Sequence, residues 1–358
     1  MTLDQEGFRY PVIDAALCIR CGACERVCSV EHHPPVSVQT AAFAAQNTDE
    51  AVRQCSSSGG VFSALALDAL AQGGWVCAAV YDADFQVCHE LTNSPERIAA
   101  MRGAKYTQSR AEHCFPKIKS LLKQEVPVLF VGTPCQCAAL RTFLSGNDHR
   151  LLLVDMICHG VPSPKVWQKY LCECQDADSD GRKLLSVNLR DKTSGWSRYN
   201  YSVALTYEPD VRIIRPQGQD LFMRGFVSNL YLRPSCADCA CKGVERCSDM
   251  TLGDYWGIWD QHPEFDDNKG TSLLLVHTER GQQAWAQLAA NFRVCPVTCE
   301  EALAQNPSAL QSSVPHPNRM RFFEQLDRHC SVIKWIGTCL APEKESLLRR
   351  ILGRFIQK

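Results

Sequence analysis

The sequence predicts a mixed α/β (α+β) fold, in which a cysteine-rich amino-terminal appendage precedes a larger mixed-sheet domain. Three observations support this prediction. Continuous apolar runs alternate with helical patterns between residues 127 and 173, as in parallel strands that are covered on both faces. After residue 183 apolar and polar residues alternate instead, which indicates antiparallel strands. Four cysteines are concentrated between residues 18 and 28.

The first half of the larger domain is predicted from periodicity and from start and stop signals. "VSVQTAAFAAQNTDEAVRQC" predicts a strand followed by a short helix or linker. "VFSALALDALAQGG" predicts a helix that opens after a Gly-Gly step and ends at Gly73 and Gly74. "WVCAAVYD" predicts a strand, and "SPERIAAM" a helix with Ser94 as its cap and a proline at its first position.

Two strand–loop–helix units follow in the chain. "PVLFVG" and "RLLLVDMI" predict buried strands, and the helices "QCAALRTFL" and "KVWQKYLCE" follow them after short loops. "KLLSVNLRD" and "SRYNYSVALTYE" predict antiparallel strands, whose aromatic residues we expect to pack rather than to line a planar substrate. The segment "DMTLGDYWGI", a buried strand "SLLLVHT" and then helices complete the prediction.

Composition narrows the functional class and the compartment. With 358 residues, 45% of them apolar, the chain can bury a sizeable core, and its net charge of -1 gives no electrostatic footprint for nucleic acid. The start "MTLDQEGFRY" is polar and no apolar run approaches the roughly 18 residues of a membrane span. We therefore expect a cytoplasmic protein without a signal peptide.

Cysteine is the outlier, with 21 residues. In a long chain without an export signal, cysteines grouped at ligand spacings indicate metal ligation rather than disulfides. Ten others fall singly or in pairs within periodic segments, and we expect them to pack as small hydrophobic residues. They are Cys77, Cys88, Cys114, Cys137, Cys172, Cys174, Cys295, Cys299, Cys330 and Cys339.

The amino-terminal run has the spacing C-x2-C-x2-C-x3-C, at Cys18, Cys21, Cys24 and Cys28. Ferredoxins use this spacing to hold a cubane iron–sulfur cluster. In two-cluster ferredoxins the fourth cysteine of the run binds the other cluster, which a second run completes. The sequence has no second run, so the run predicts a ferredoxin-type segment that is incomplete.

A second set of cysteines is predicted at the edge of the sheet. Cys135 and Cys158 directly follow the two buried strands, where ligands bind in open α/β sheets. If the strands are neighbours, the two sulfurs lie roughly 5–10 Å apart. With the pair Cys236 and Cys239 they make four thiolates, the usual ligand set of a [4Fe–4S] cluster.

Zinc is the alternative metal for the pair Cys236 and Cys239. "CADCACKGVERC" supplies Cys236, Cys239, Cys241 and Cys247, which are enough for a closed tetrahedral site. A zinc-stabilised structural protein would follow from it. The strand-end cysteines and the amino-terminal run favour iron.

Six motifs occur in an order that resembles the beta-subunit family of coenzyme F420 hydrogenases and dehydrogenases. They are "SSSGGVFSALA", "RGAKYTQS", "FVGTPCQCAAL", "DMICHGVPSPKVW", "RPSCADC" and "CSDMTLGDYWGI". Members of that family bind FAD beside a [4Fe–4S] cluster, and many carry a ferredoxin-like domain with two clusters. The resemblance covers residues from about 50 to about 340.

The resemblance implies roles for individual residues. The core cluster ligands would be Cys135, Cys158, Cys236 and Cys239. The contacts to FAD would come from Ser57, Ser58, Gly59, Gly60, Lys105, Tyr106, Gly253 and Asp254. A Gly-Gly step that opens a helix suits this role, since backbone N–H groups at a helix start bind phosphate. Lys105 can pair with phosphate as well.

The resemblance also bears on the amino-terminal run. A stretch like "GFRYPVID" lies before the second run in two-run members, and here it starts at Gly7. We expect either a true start further upstream or the loss of one cluster. Cys28 suits the first cluster poorly, because the chain leaves Cys24 as a helix, so Cys55 is a further candidate ligand. Ser29 replaces the proline that usually follows the run.

The expected function is an iron–sulfur flavoprotein oxidoreductase that moves electrons between 4Fe–4S clusters and a two-electron carrier through FAD. Ferredoxin or another redox subunit and a deazaflavin-type or other small carrier are the expected partners. His159 and Asp254 are candidates for proton relay, with structural hydrogen bonding as the alternative.

The alternative function is an electron-relay subunit that docks on a larger complex and has no substrate of its own. This alternative is based on residues 341–358, which predict a basic amphipathic helix. Such a helix can bind a partner or a membrane surface, or it can pack on its own domain. The expected domains are therefore 1–35, 36–340 and 341–358.

Overall fold

The computed structural model describes residues 1–28, 34, 40–146, 148–198 and 200–342. The strands are β1 (Thr2–Leu3), β2 (Arg9–Tyr10), β3 (Ala41–Asn47), β4 (Trp75–Tyr81), β5 (Val87–Thr92), β6 (Val128–Val131), β7 (Leu151–Met156), β8 (Leu184–Asp191), β9 (Ser202–Tyr207), β10 (Val211–Pro216), β11 (Met250–Asp254), β12 (Ser272–Val276) and β13 (Phe292–Val297). The α-helices are α1 (Ala23–Arg26), α2 (Glu50–Gln54), α3 (Val61–Ala71), α4 (Ile98–Met101), α5 (Phe115–Lys123), α6 (Pro134–Leu144), α7 (Pro164–Ser179), α8 (Leu221–Val227), α9 (Ile258–Gln261), α10 (Glu279–Leu288), α11 (Cys299–Leu303), α12 (Arg319–Gln325) and α13 (Val332–Leu340). Ser29 and the predicted tail helix, apart from residues 341 and 342, lie outside the described residues.

The main sheet is mixed and has the order β13-β3-β12-β11-β7-β6-β4-β5. Its centre is parallel: β4, β6, β7 and β11 run the same way, with Val128 of β6 opposite Leu151 of β7. Antiparallel strands complete both sides, β12, β3 and β13 on one and β5 on the other. The mixed α/β fold and the pairing of the two buried strands are therefore as predicted.

Helices cover both faces of the parallel centre. Leu129 and Val131 of β6 pack in one core cluster with α3, α4 and α10, while Val128 and Phe130 pack in another with α5 and α6. Alternate residues of a strand point to opposite faces, so a strand covered twice must be apolar throughout. All four residues of β6 are buried, which explains its uninterrupted apolar sequence.

A second layer is built on a three-stranded antiparallel sheet of order β10-β9-β8. Its core includes residues of α7, α8, α12 and α13, with Trp167, Tyr170, Phe222, Tyr231 and Phe322 among its largest fully buried side chains. This layer supplies β8, whose end reaches the candidate site described below.

The amino-terminal segment is tied to the main body ahead of its cysteine run. Phe8 is fully buried and packs edge-on to Phe323, and Glu6 forms a two-pronged ion pair with Arg319. Helix α1 (Ala23–Arg26) contains Cys24, so the chain leaves this cysteine as a helix, as predicted. The segment that precedes the cysteine run is therefore anchored to the main body through Glu6 and Phe8.

The structure corrects several details. Strands β1, β2, β5, β10 and β13 were not predicted, and residues 95–97 form a 3-10 helix before α4. Ser94 does not cap it, because its hydroxyl donates to the Glu96 carboxylate instead. Cys172 and Cys330 are exposed rather than buried. Among the described residues, no helix combines the length and apolarity that crossing a membrane requires.

Candidate functional site

Five cysteines line one recess at the carboxyl edge of the parallel strands. Cys135 lies in the first turn of α6, after β6, and Cys158 follows β7. Cys236, Cys239 and Cys241 come from the loop before β11. The five belong to the wall of a single recess, which His159, Lys242, Arg246 and Ser308 also line. The structure thus brings together the four cysteines predicted from strand ends and spacing, and adds Cys241.

Each of the four predicted cysteines is fixed by local hydrogen bonds. Thr133 caps α6 together with Gln136, and its hydroxyl lies 3.2 Å from the Cys135 Sγ. The Val161 N–H donates to the Cys236 Sγ at 3.4 Å. The Cys239 N–H donates to Ser312 Oγ at 2.9 Å. Lys242 Nζ donates to the Cys158 carbonyl at 2.5 Å.

The charges around the recess are positive. Lys242 and Arg246 line it, and Arg233 acts on the thiols of Cys135 and Cys236 in the direction that favours thiolate. Burial opposes this and raises the pKa of the Cys158 and Cys236 thiols. A thiolate is the form that binds metal, so the cations offset part of the cost of burying it.

The four cysteines of the zinc alternative do not all line the recess. Cys236, Cys239 and Cys241 line it, whereas Cys247 packs against the core formed with α5 and α6. Within the described part of the chain, no three His, Cys, Asp or Glu side chains are gathered for a single metal ion.

His159 is held by hydrogen bonds on both sides of its ring. Its Nε2 lies 2.6 Å from Asn229 Oδ1 and its Nδ1 lies 3.2 Å from Ser308 Oγ. Its ring also meets Phe226 edge-on, and burial lowers its pKa. These contacts match the structural alternative given above for His159.

A cavity of about 540 Å³ adjoins the recess. Cys135 and Val161 line both spaces and so form a shared wall. Seven of the eight residues predicted to contact FAD line the cavity: Ser57, Ser58, Gly60, Lys105, Tyr106, Gly253 and Asp254. The eighth, Gly59, does not line it.

Gly59 instead lies between two strands of the sheet. Its N–H donates to Ser272 Oγ at 2.9 Å, and its carbonyl accepts from the Asn47 N–H at 2.8 Å. A β-carbon there would come within 2.6 Å of Ser272 N. Gly60 follows with φ +94°, a left-handed conformation that favours glycine, and starts α3 at the cavity.

Lys105 and Tyr106 form another part of the cavity wall. Lys105 Nζ donates to the Arg102 carbonyl at 2.8 Å and lies near two more carbonyl oxygens, of Met101 and Gly103. Burial of the ammonium group lowers the pKa of Lys105 to about 7. Tyr106 stacks on Phe226 with ring centroids 4.6 Å apart.

Sequence reasoning missed Arg190, at the end of β8. Its side chain is 3% exposed, lines the cavity and pairs with Asp254 at 2.9 Å. Its guanidinium also lies 3.9 Å from the ring centre of Tyr201. The available signal was the charged triplet Arg190, Asp191 and Lys192 at the end of β8. All three side chains are buried, and buried charges need partners.

Three guanidinium nitrogens at the cavity lack partners. Among the described residues, the buried Nε atoms of Arg9, Arg190 and Arg233 have no hydrogen-bond acceptor. All three arginines line the cavity. An unsatisfied buried donor is costly, so these nitrogens provide sites for an acceptor group on a ligand.

The remaining predicted ligands lie elsewhere. Cys18, Cys21 and Cys24 are exposed and Cys28 is half-buried, and none of them lines the recess or the cavity. Cys55 is also exposed, at the end of α2. Trp196 and Tyr201 are buried and do not line the cavity, as expected for packing residues.

The fold of this chain is similar to that of a solved structure. A search of curated proteins finds no match. Among solved structures, the chain is similar to one in the F420-reducing [NiFe] hydrogenase complex from Methanosarcina barkeri, with a TM-score of 0.50 and 17% identity. The similarity covers 85% of this chain and 91% of that chain, and it supports the mixed α/β fold.

Three family models match the sequence. Residues 11–31 match the 4Fe-4S binding domain. Residues 42–113 match the amino-terminal part of the coenzyme F420 hydrogenase/dehydrogenase beta subunit, and residues 127–298 match its carboxyl-terminal part. The two parts together span most of the chain. The chain therefore belongs to the coenzyme F420 hydrogenase/dehydrogenase beta-subunit family.

Proposed function

We propose that the chain is an iron–sulfur flavoprotein oxidoreductase that transfers electrons between 4Fe–4S clusters and a two-electron carrier through FAD. The family and the 4Fe-4S binding domain establish an iron–sulfur electron-transfer subunit, and the flavin is the added step. The shared wall carries the proposal, because Cys135 and Val161 line both the recess and the cavity. A ligand in the cavity thus lies directly beside the cysteines.

The recess fits a 4Fe–4S cluster by its donor set. Cys135, Cys158, Cys236 and Cys239 come from three separate elements and face one space. Four thiolates are the usual ligands of such a cluster. Lys242 lies in the same wall and offsets their negative charge.

The cavity fits FAD by size and by its donors. About 540 Å³ falls within the usual range of ligand pockets, roughly 300–1,000 Å³. The start of α3 after Gly60 offers backbone N–H groups to a pyrophosphate. The Nε atoms of Arg190 and Arg233 offer further donors. Gly59 binds the loop to Ser272 and Asn47 by hydrogen bonds and does not line the cavity.

When bound, FAD exchanges single electrons with a cluster and electron pairs with an organic carrier. The residues of the cavity wall fix the charge and the shape of the space that FAD would occupy. Arg190 holds a positive charge that Asp254 partly balances, and Tyr106 keeps its place on the wall by stacking on Phe226. Of the two proton-relay candidates only Asp254 lines the cavity, so we assign any proton transfer to it rather than to His159.

The family name and the similar hydrogenase complex both refer to coenzyme F420. We therefore propose a deazaflavin-type carrier as the two-electron partner. Ferredoxin or another redox subunit is the one-electron partner, and the exposed cysteine run is the natural place for it to approach.

The test is anaerobic purification, with iron, acid-labile sulfide, zinc and released flavin quantified per chain. We expect about one FAD, and a loss of about four irons in the Cys135→Ala variant relative to the parent. Cys339→Ala, a buried cysteine of the second layer, is the matched control and keeps the parent iron content.

Two outcomes contradict the proposal. If Cys135→Ala and the parent contain equal iron, the recess holds no cluster. If the parent contains zinc and no flavin, the zinc-stabilised structural protein described from the sequence is correct instead.

A further inference from the structure

Two buried side chains of the connection between β8 and β9 hold the loop that opens the cavity. This cavity loop, residues 55–60, joins α2 to α3, and several of its residues line the cavity. We propose that Lys192 and Trp196 are positioning residues, which bind two carbonyls of the cavity loop and thereby turn its free N–H groups toward the pyrophosphate of FAD. This inference rests on the proposed FAD site.

Lys192 binds three backbone carbonyls at once. Its Nζ donates to the carbonyl oxygens of Arg53 at 2.7 Å, Ser58 at 2.9 Å and Lys269 at 2.7 Å. An ammonium group has three donors, so these bonds use all of them. The side chain is buried and does not line the cavity. Lys192 therefore ties the cavity loop to the end of α2 and to the chain before β12, and it has no donor left for a ligand.

Trp196 binds the neighbouring carbonyl of the cavity loop. Its Nε1 donates to the Ser57 carbonyl at 3.1 Å. The indole is buried and stacks on Trp256 with ring centroids 5.0 Å apart, and the Trp196 N–H donates to Asn268 Oδ1 at 2.7 Å. These contacts fix the direction of the indole N–H. Two successive carbonyls, those of Ser57 and Ser58, are thus held by one connection of the second layer.

The Ser58 carbonyl is also enclosed by the chain before β12. A β-carbon at Gly270 would come within 2.9 Å of the Ser58 carbonyl oxygen and 3.0 Å of Lys192 Nζ. Gly270 has φ +105°, a conformation that favours glycine, and its own carbonyl accepts from Arg53 Nε at 2.7 Å. This close packing leaves the Ser58 carbonyl directed at Lys192.

Holding a carbonyl also fixes the direction of the next N–H group. The peptide bonds of the cavity loop are trans, so each C=O points opposite to the N–H of the following residue. The Ser58 N–H therefore points away from Trp196. The Gly59 carbonyl accepts from the Asn47 N–H at 2.8 Å, so the Gly60 N–H points away from β3.

These two N–H groups are available to a ligand. Ser58 and Gly60 both line the cavity, and within the described part of the chain neither N–H has a hydrogen-bond acceptor. Backbone N–H groups at the start of a helix bind phosphate groups. Lys192 and Trp196 thus act on the ligand through the loop, without touching it.

The test compares Lys192→Met and Trp196→Phe with a matched control, Trp167→Phe. Trp167 is also fully buried, in the core of the second layer, and its Nε1 donates to the Phe85 carbonyl at 2.7 Å, away from the cavity. Each Trp→Phe change therefore removes one buried indole–carbonyl hydrogen bond. Far-ultraviolet circular dichroism sets a temperature at which all the chains are folded.

The first measurement is the Kd for FAD, titrated anaerobically into each chain after removal of bound flavin. We expect the Kd to rise about tenfold or more in Lys192→Met and about three- to tenfold in Trp196→Phe, because misdirected N–H groups bind the pyrophosphate poorly. The Trp167→Phe control keeps the Kd of the parent. A merely structural role would lower the Tm of both Trp variants and leave the two Kd values equal.

The second measurement is amide hydrogen exchange in the flavin-free chains, at Asn47 and Gly59. The N–H groups of these residues are bonded at the cavity loop, to the Gly59 carbonyl and to Ser272 Oγ. We expect faster exchange in Lys192→Met and Trp196→Phe than in Trp167→Phe.

Equal Kd values in Trp196→Phe and Trp167→Phe overturn the inference, whatever their stability. If the parent itself binds no FAD, the proposed function fails instead, and hydrogen exchange still decides whether the two residues hold the loop. Equal exchange in the two Trp variants would then refute it. The Trp variants settle the question even if Lys192→Met does not fold.

Discussion

Gly59 offers the sharpest test of how the cavity loop is supported. A β-carbon at this position would come within 2.6 Å of Ser272 N and 3.0 Å of Ser272 Oγ, and closer still to the Ala45 carbonyl oxygen. Two of these atoms belong to the backbone of β12 and β3, paired strands of the main sheet that cannot move aside without disturbing it. Gly59→Ala must therefore push the loop outward.

The cost follows from the contacts that are lost. Overpacking costs about 1–3 kcal/mol. Displacement also weakens the hydrogen bonds with Ser272 and Asn47, each worth about 0.5–1.5 kcal/mol. We expect the free energy of unfolding to fall by about 2–6 kcal/mol. At about 2 °C per kcal/mol for a chain of this size, the Tm falls by about 4–12 °C.

The assay is thermal unfolding of the variant and the parent under anaerobic conditions, together with the amount of flavin retained. Gly218→Ala is the matched control, because a β-carbon added there would meet no atom within 4 Å and its φ is not left-handed. We expect a parent-like Tm for this control. Equal Tm values for Gly59→Ala and Gly218→Ala would refute the reasoning.

Three further predictions concern buried groups. Asp254→Asn leaves the Arg190 charge without its counter-ion, and we expect a loss of about 3–5 kcal/mol in urea unfolding that Arg190→Met partly restores in the double variant. His89 is neutral in the fold, since burial lowers its pKa to about 4, whereas the unfolded chain binds a proton below about pH 6.5. The free energy of unfolding should therefore decrease by about 3 kcal/mol as the pH falls from 6.5 to 4, and by less in His89→Gln. If the parent and His89→Gln lose the same stability over this pH range, the role given to His89 is wrong. Phe8→Ala removes the buried anchor of the amino-terminal segment, so trypsin should cut after Arg9 and Arg20 faster than in the parent or in the exposed-site control Leu3→Ala.

The central strands and the strand-end cysteines could be predicted from sequence for a topological reason. Strands β6 and β7 are covered on both faces, so their apolar runs are unbroken, and short connections make them neighbours. Cys135 and Cys158 then have to meet at one edge. The placement of Gly60 and Lys105 at the cavity came from the resemblance, and local periodicity alone would not have given it.

Other features depend on contacts far along the chain. Arg190 is buried because Asp254 lies beside it, and 64 residues separate the two. Nothing near Arg190 in the sequence reveals that partner. Strand β13 contains Pro296 and has a weak pattern, and it forms by pairing with the distant β3 at the edge of the sheet. Cys241 likewise was one candidate zinc ligand among four in the sequence, and the structure places it in the wall of the recess with Cys135.

The wall formed by Cys135 and Val161 restricts how this protein can be re-engineered. A substitution in that wall changes the lining of the recess and of the cavity at once, so its effects on both have to be measured. Residues that border a single chamber are free of this linkage: Lys242 and Ser308 border only the recess, and Lys105 and Arg190 only the cavity. Substitutions meant to change the lining of one space and leave the other intact can begin at positions of this kind.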